Sequence, residues 1–305
     1  MDKVEPSQPK KQSLPGKVFD KYYKELLIIP IIILLLSFGM ILNHYRVTGE
    51  FFARDVSLKG GVTLTIHSDK QVDVKDLQSF LSQQLGQGDI NVRLITQSGR
   101  QVGLIIDAAI QQQNDLDKLL GLVQQKMGTL QKSEYNIQSI GGALGQSFFK
   151  EAIVSVLIAF FCMSLVVLIY FRNFVPSLFV IWCAFNDIIM PFAVIVLLGV
   201  KLSSAGIGAF LMLIGYSIDT DILLTSRVLK GREGTVFERT MGAMKTGMTM
   251  SLTALASTTV GYIFSQSDTI KQIMLILSIG LVFDIINTWI TNAGILRWYL
   301  ERKKA

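Results

Sequence analysis

Histidine and cysteine are scarce, with two of each in 305 residues. His44 and His67 lie far in sequence from Cys162 and Cys183, so no metal-ligand spacing is present, and no metal or cofactor is expected. Both cysteines fall inside long apolar runs and read as packing residues, and the large polar insert has none, so no disulfide framework holds it. The chain has no glycine-rich phosphate loop ending in Lys-Ser/Thr, no HExxH, and no nucleophile–His pairing. ATP use and hydrolysis are therefore not expected, and the chain does not read as an enzyme. Charged residues make up only 17% of it. That is too few for an ordinary soluble enzyme.

Apolar residues are abundant: half the chain is hydrophobic, and mean hydropathy is +0.45. A helix needs about 20 apolar residues to cross the hydrocarbon core. Runs at 26–45, 150–171, 174–199, 202–226, 241–264 and 270–296 meet that length. The expected fold is a polytopic α-helical membrane protein with six transmembrane helices in contact with lipid.

The net charge of +6 is distributed by topology. Lys3, Lys10, Lys11, Lys17, Lys21 and Lys24 precede the first run. Arg227, Lys230, Arg232 and Arg239 sit between the fourth and fifth. Arg302, Lys303 and Lys304 follow the sixth. If the runs alternate, these clusters share one side, and the positive-inside rule places both termini in the cytoplasm. The excess is thereby explained without a nucleic-acid partner. The expected location is the cell membrane, crossed several times. The first run lacks a small-residue cleavage pattern and reads as a retained anchor.

Residues 1–25 form a cytoplasmic polar tail, 26–45 the first span and 300–305 a second tail. Residues 46–149 form a polar, extracytoplasmic insert, and 150–299 a bundle of five helices. Within the insert, 62–67 alternates as a strand, and Val74, Leu77, Leu81 and Leu85 mark a helix over 72–85. Strands are expected at 90–97 and 101–107, joined by a turn with Ser98 and Gly99. A helix at 115–127 and a strand at 134–140 follow. The order β-α-β-β-α-β points to an α+β, ferredoxin-like domain between the first two spans.

The spans carry carboxylates, although an ionised one at the bilayer centre costs about 2.5–3.5 kcal/mol or more. Asp187 lies in the third, Asp219 and Asp221 in the fourth, Asp284 in the sixth. All four should face the bundle interior and are candidates for proton coupling. Lys245, at the start of the fifth run, is the basic candidate near them. Asn186, Thr220 and Asn287 are the supporting polar groups. Thr288, Thr291 and Asn292 follow Asp284 at helical spacing, and Ser251, Thr253 and Ser257 crowd the fifth run. Gly206, Gly208, Gly215, Gly242 and Gly247 would let helices approach closely. Intramembrane Asn, Ser and Thr also serve simply as hydrogen-bonding glue.

The stretch GYSIDTDILLTSR at 215–227 resembles the GYSxNDTxVxFDR pattern of the SecF family and the GMAVDANVLIFER pattern of SecD. Asp219 falls on the SecD aspartate column, Thr220 on the SecF aspartate column, and Asp221 one position beyond. Asn186 and Asp187 resemble a His-Asp pair of the third span. MSLTAL at 250–255 is similar to TSLTTL, with Lys245 where many relatives have Arg. NTWITNAGIL at 287–296 resembles the archaeal end of the sixth span. DVSLKGGVTL at 55–64 is similar to the start of the family's outside domain, with its Gly pair setting backbone geometry.

The resemblance is to archaeal SecF, within the resistance–nodulation–division superfamily. It implies a pseudo-symmetric pairing with SecD, six spans from each. It further implies assistance to a polypeptide crossing the Sec channel, driven in bacterial relatives by the proton gradient. Two rival readings remain open at this level. One is a scaffold that stabilises SecD or the channel without proton coupling. The other is half of a small-molecule exporter, for which the insert is small.

Overall fold

The computed structural model describes residues 21–68, 70–86, 90–97, 100–110, 112–231, 234–265 and 267–304. The turn expected at Ser98 and Gly99 lies outside the described residues, as do residues 1–20 of the tail and Arg232. The first apolar run forms α1 (Ile28–Thr48), continuing helical residues 21–26. A short α2 (Val56–Lys59) then leads into the insert.

The insert contains β1 (Gly61–His67), α3 (Val74–Leu85), β2 (Ile90–Gln97), β3 (Arg100–Ala108), α4 (Gln113–Met127) and β4 (Tyr135–Ile140). Its strands make one antiparallel sheet in the order β2-β3-β1-β4. Alternation sorts the sheet into two faces. Leu64 and Ile66 of β1 pair with Ile106 and Leu104 of β3 and are fully buried. Leu77 and Leu81 of α3, and Leu119 and Val123 of α4, are each four residues apart and cover that face. Asp73 starts α3 by accepting the Lys75 and Asp76 N–H groups at 2.8 and 3.4 Å.

The opposite face is polar. Thr63 donates to Asp107 Oδ1 at 2.9 Å, and Arg93 donates to Asp107 Oδ2 at 2.6 Å. A second Arg93 nitrogen lies 3.5 Å from Asp268, at the start of α9 (Asp268–Ile286). This face therefore meets the helical part. The linker ahead of the domain is tied there too. The Asp55 N–H donates to Leu202 O at 2.9 Å, and the Leu202 N–H donates to Ala53 O at 2.8 Å. Gly60, at φ 82°, packs on the backbone of Gly142, so the chain's entry to and exit from the domain cross in contact. A side chain at Gly60 would strike that backbone, which makes the Gly pair structural.

Asp55 sits in this joint. Burial pushes its carboxyl above the usual range, and neighbouring Asp107 pushes the same way. The Val56 backbone, Arg93 and Lys201 oppose the shift. A raised folded-state value means the native protein holds this proton more tightly than the unfolded chain does. The contribution is complete at acid pH and is lost as pH rises through the folded value. Asp55→Asn, which mimics the protonated group, is expected to melt somewhat above native at pH 7.5 and level with it at pH 4. Thermal melting of the purified protein at both pH values checks this.

The helical part contains α5 (Gly142–Phe171), α6 (Phe174–Leu197), α7 (Ser204–Lys230), α8 (Val236–Phe264), α9 and α10 (Ala293–Lys304). A wide π turn over Asn287–Asn292 joins the last two. Ser203 caps α7 by accepting the Gly206 N–H at 3.1 Å. Thr235 and Glu238 form a reciprocal capping box on α8. Among the described residues, five helical stretches are long and apolar enough to cross a membrane: Lys21–Thr48, Gly142–Phe171, Phe174–Leu197, Ser204–Lys230 and Asp268–Arg302. α8 is long enough at 29 residues, but its threonines and serines leave it less apolar than the others. The second helix begins at Gly142 rather than 150. The last helix runs to Lys304, through most of the segment expected as a tail.

Candidate functional site

Helical geometry divides the carboxylates of α7. Ser217, Thr220, Asp221, Leu224 and Thr225 recur at three- and four-residue steps and are all buried. Asp219 lies two positions from Asp221, about 200° around the helix axis. It is exposed on the outer face of α7. Of the two aspartates, Asp221 alone faces the interior of this chain's own bundle.

Three other features place groups opposite that buried stripe. α6 contributes Asn186 and Asp187, both 1% exposed. Pro191, four residues after Asp187, has no N–H, so the Asp187 carbonyl loses its helical donor. α9 contributes buried Asp284, and the π turn that follows presents Asn287, Thr288, Thr291 and Asn292 inward. Two helices are therefore locally irregular at the level of the carboxylates, as wide turns often are at functional sites.

The hydrogen bonds connect these elements. Asp187 accepts from Ser217 on α7, and from Asn287 Nδ2 at 2.6 Å. Asp284 accepts from Thr220 Oγ1 at 3.1 and 3.3 Å, and from Thr288 Oγ1 at 3.3 Å. Asp221 Oδ1 accepts from Asn292 Nδ2 at 2.8 Å. Asn292 also reaches Thr225 Oγ1 at 3.3 Å. Cys183 lies in the same core, with Sγ 3.8 Å from the Asn287 carbonyl, whereas Cys162 is exposed.

Charge and hydrogen-bond counts set the chemistry. Among the described residues, no lysine or arginine is buried. The second oxygen of Asp221 and the side-chain carbonyls of Asn186, Asn287 and Asn292 are buried without a donor. Ser251 Oγ, Thr291 Oγ1 and Trp289 Nε1 are buried without partners as well, so unsatisfied groups of both kinds surround the carboxylates. A carboxyl group gains a donor when it takes up a proton. Proton binding or release therefore changes both the charge and the hydrogen bonding of the cluster.

Asp187, Asp221, Asp284, Asn186, Thr220 and Asn287 thus come together. Asp219 and Lys245 do not: both are exposed. Arg227 donates to Gly242 O at 3.2 Å and to Thr246 Oγ1 at 3.0 Å. Lys245 therefore lies near the Arg227 end of α7, whereas Asp219 is eight residues, or about 12 Å, further along it. Lys245 is therefore not buried with the carboxylates of this chain. Gly247 does admit a close approach, since the Trp289 ring packs directly on it. Gly208, Gly215 and Gly242 face open space instead. The π turn was missed from sequence, and Ser217, which flanks Asp219 in sequence, donates to Asp187.

The family described as "Protein export membrane protein SecD/SecF, C-terminal" matches residues 121–302. The protein-export membrane protein SecF of Methanothermobacter thermautotrophicus is 40% identical over 286 residues, 92% of this chain and 94% of that one. The chain belongs to the SecF family. SecF of Methanocaldococcus jannaschii is 36% identical over 296 residues, 93% of this chain and 98% of that one. The crystal structure of SecDF from Thermus thermophilus is similar in fold, with a TM-score of 0.74 at 17% identity. That match covers 99% of this chain but 40% of the SecDF chain. SecDF in its super-membrane-facing form gives a TM-score of 0.61 over 94% of this chain and 39% of that one. In this SecF-family chain, the buried carboxylates fall on α6, α7 and α9, inside the matched region.

Proposed function

We propose that this chain is the SecF subunit of a SecDF complex and assists export of polypeptides through the Sec channel. In this reading the buried Asp187–Asp221–Asp284 cluster couples export to the proton gradient. The observation that carries it is the cluster's composition: three buried carboxylates, hydrogen-bonded across α6, α7 and the turn after α9, with no buried lysine or arginine among the described residues. Taking up and releasing a proton changes the charge and hydrogen bonding of α6, α7 and α9 together. Such a change favours one packing of the bundle over another. Moving one charge through 100 mV is worth about 2.3 kcal/mol, a bias of roughly fiftyfold between two packings.

The same reading has α8 cross the membrane as a sixth span beside the five more apolar ones. Its exposed Thr249, Thr253 and Ser257 then face other protein rather than lipid. The strand order β2-β3-β1-β4 with two helices on one face supports a ferredoxin-like domain. The basic clusters support placing both termini in the cytoplasm and that domain outside. The SecDF likeness and the 40% share of its length support SecD as the missing half.

The scaffold reading draws on one fact: the Asn, Ser and Thr donors to each carboxylate would also serve a static joint. Proton uptake separates the two. The chain and SecD are reconstituted together in vesicles holding a pH-sensitive dye, and a potassium diffusion potential is imposed. Uptake is expected with the native pair and is expected to fall to the level of empty vesicles with Asp221→Asn. Equal uptake by native, Asp221→Asn and empty vesicles would leave the scaffold.

A further inference from the structure

Between α1, α5 and α6, next to the linker into the four-stranded domain, lies a groove of about 780 Å³. Phe52 forms its floor, edge-on to Phe192 with centroids 5.5 Å apart and 6.0 Å from Phe149. Phe38 and Leu42 of α1, and Val154 of α5, leave its mouth exposed. α1 and α5 belong to the two least buried of the spanning stretches, so hydrocarbon surrounds this mouth. The volume suits an extended apolar ligand.

One charged residue lines the groove: Lys150, on α5 beside Phe149. It is exposed and makes no hydrogen bond or ion pair with the described residues. Nearby carboxylates are engaged elsewhere. Glu151 accepts from Ser147 at 2.9 Å. Glu50 is held by Arg54 at 2.9 Å and Lys59 at 3.7 Å. The Arg54 guanidinium lies 5.0 Å from the Phe149 ring centroid, which puts a second cation on the same rim. An apolar trough open to lipid, with cations at the end nearest the domain, matches a molecule with a hydrocarbon chain and an anionic head.

We propose that this groove holds one hydrocarbon chain of an anionic phospholipid from the leaflet on the domain side, with its phosphate at Lys150. The chain lies against Phe51 and Phe52, just ahead of the Ala53–Asp55 segment that is hydrogen-bonded to Leu202. A bound lipid therefore braces the joint between the outside domain and the helices. This site is separate from the carboxylate cluster and stands whether or not that cluster carries protons.

Two substitutions dissect it. Gly39 lines the groove, and a Cβ there meets nothing within 4 Å, so Gly39→Leu starts from open space and occupies the trough. Lys150→Glu reverses the charge at the rim. The full chain is loaded with phosphatidylglycerol or phosphatidylcholine, and retained lipid is read by native mass spectrometry. The native protein is expected to keep one phosphatidylglycerol in preference to phosphatidylcholine. Lys150→Glu should abolish the preference, and Gly39→Leu should lose both lipids. Equal retention by native and Gly39→Leu overturns the groove as the site. A preference unchanged in Lys150→Glu overturns the phosphate contact. A photo-crosslinker at position 41 that labels SecD in the reconstituted pair, and not lipid, overturns the choice of occupant.

Discussion

Cells carrying Asp284→Asn are expected to accumulate the protein normally, recover SecD with it, and lose most of their export. Asparagine keeps the volume of the side chain and can still accept from Thr220 and Thr288, now 3.1 to 3.3 Å from the carboxylate. It cannot exchange a proton. If the membrane potential acts through that exchange, a bias of about 2.3 kcal/mol per charge at 100 mV disappears, roughly fiftyfold in the balance of two packings. Export measured by pulse labelling should fall about as far as with a protonophore, and the protonophore should add little more. Asp284→Leu is a harsher change. It removes the acceptor of the Thr288 hydroxyl, at about 1–3 kcal/mol for a buried group left unsatisfied, while Thr220 keeps its bond to Ser217 O at 2.8 Å. Lower protein levels with Asp284→Leu but not with Asp284→Asn would separate folding from coupling. Native export in Asp284→Asn would remove Asp284 from the mechanism.

The four-stranded domain was the most legible part of the chain. Its strands and helices obey periods of two and 3.6 because each has one dry face and one wet face. Strand β2, at Ile90–Gln97, coincides with its expected range, and β1 differs by one residue, starting at Gly61. The bundle gave a weaker signal. A helix surrounded by lipid and other helices is apolar all round, so its amphipathic period fades. The polar exceptions carried the information, and one pattern among them went unread. Ser217, Asp221 and Thr225 are spaced four apart, which marks a single stripe, and Asp219 falls off it. The π turn at Asn287–Asn292 has no local sequence signature, because it depends on where the neighbouring helices place hydrogen-bond donors. Lys245 drew attention as the one cation at hand, but its position on α8 faces outward. The 241–264 run was read as an apolar span, but the Thr and Ser content of α8 keeps it out of the five stretches apolar enough to cross a membrane.

That content bears on the second large effect, at Asp219. The residue is exposed near the middle of the 27-residue α7. Against lipid, an ionised carboxylate there costs about 2.5–3.5 kcal/mol. The surface around it is not built for lipid. Gly208 and Gly215 on α7, and Gly242 on α8, have open space where a side chain would stand. Thr249, Thr253 and Ser257 add an exposed hydroxyl-bearing stripe along α8. Small and polar residues together are the features by which membrane helices pack closely and hydrogen-bond across an interface. The physical reading is that another set of helices covers this face, and SecD is the candidate. Asp219→Trp should then block the approach and remove the polar contact at once. Loss of about 3 kcal/mol is roughly a hundredfold in affinity, so little SecD should co-purify. Export should fail with it, while proton-site variants such as Asp284→Asn keep the pair intact. Asp219→Asn, which preserves size and hydrogen bonding, should retain the partner. If Asp219→Trp recovers SecD as well as native does, this face lies elsewhere than the SecD interface. The outward aspartate would then need a different neighbour, such as a water-filled cleft.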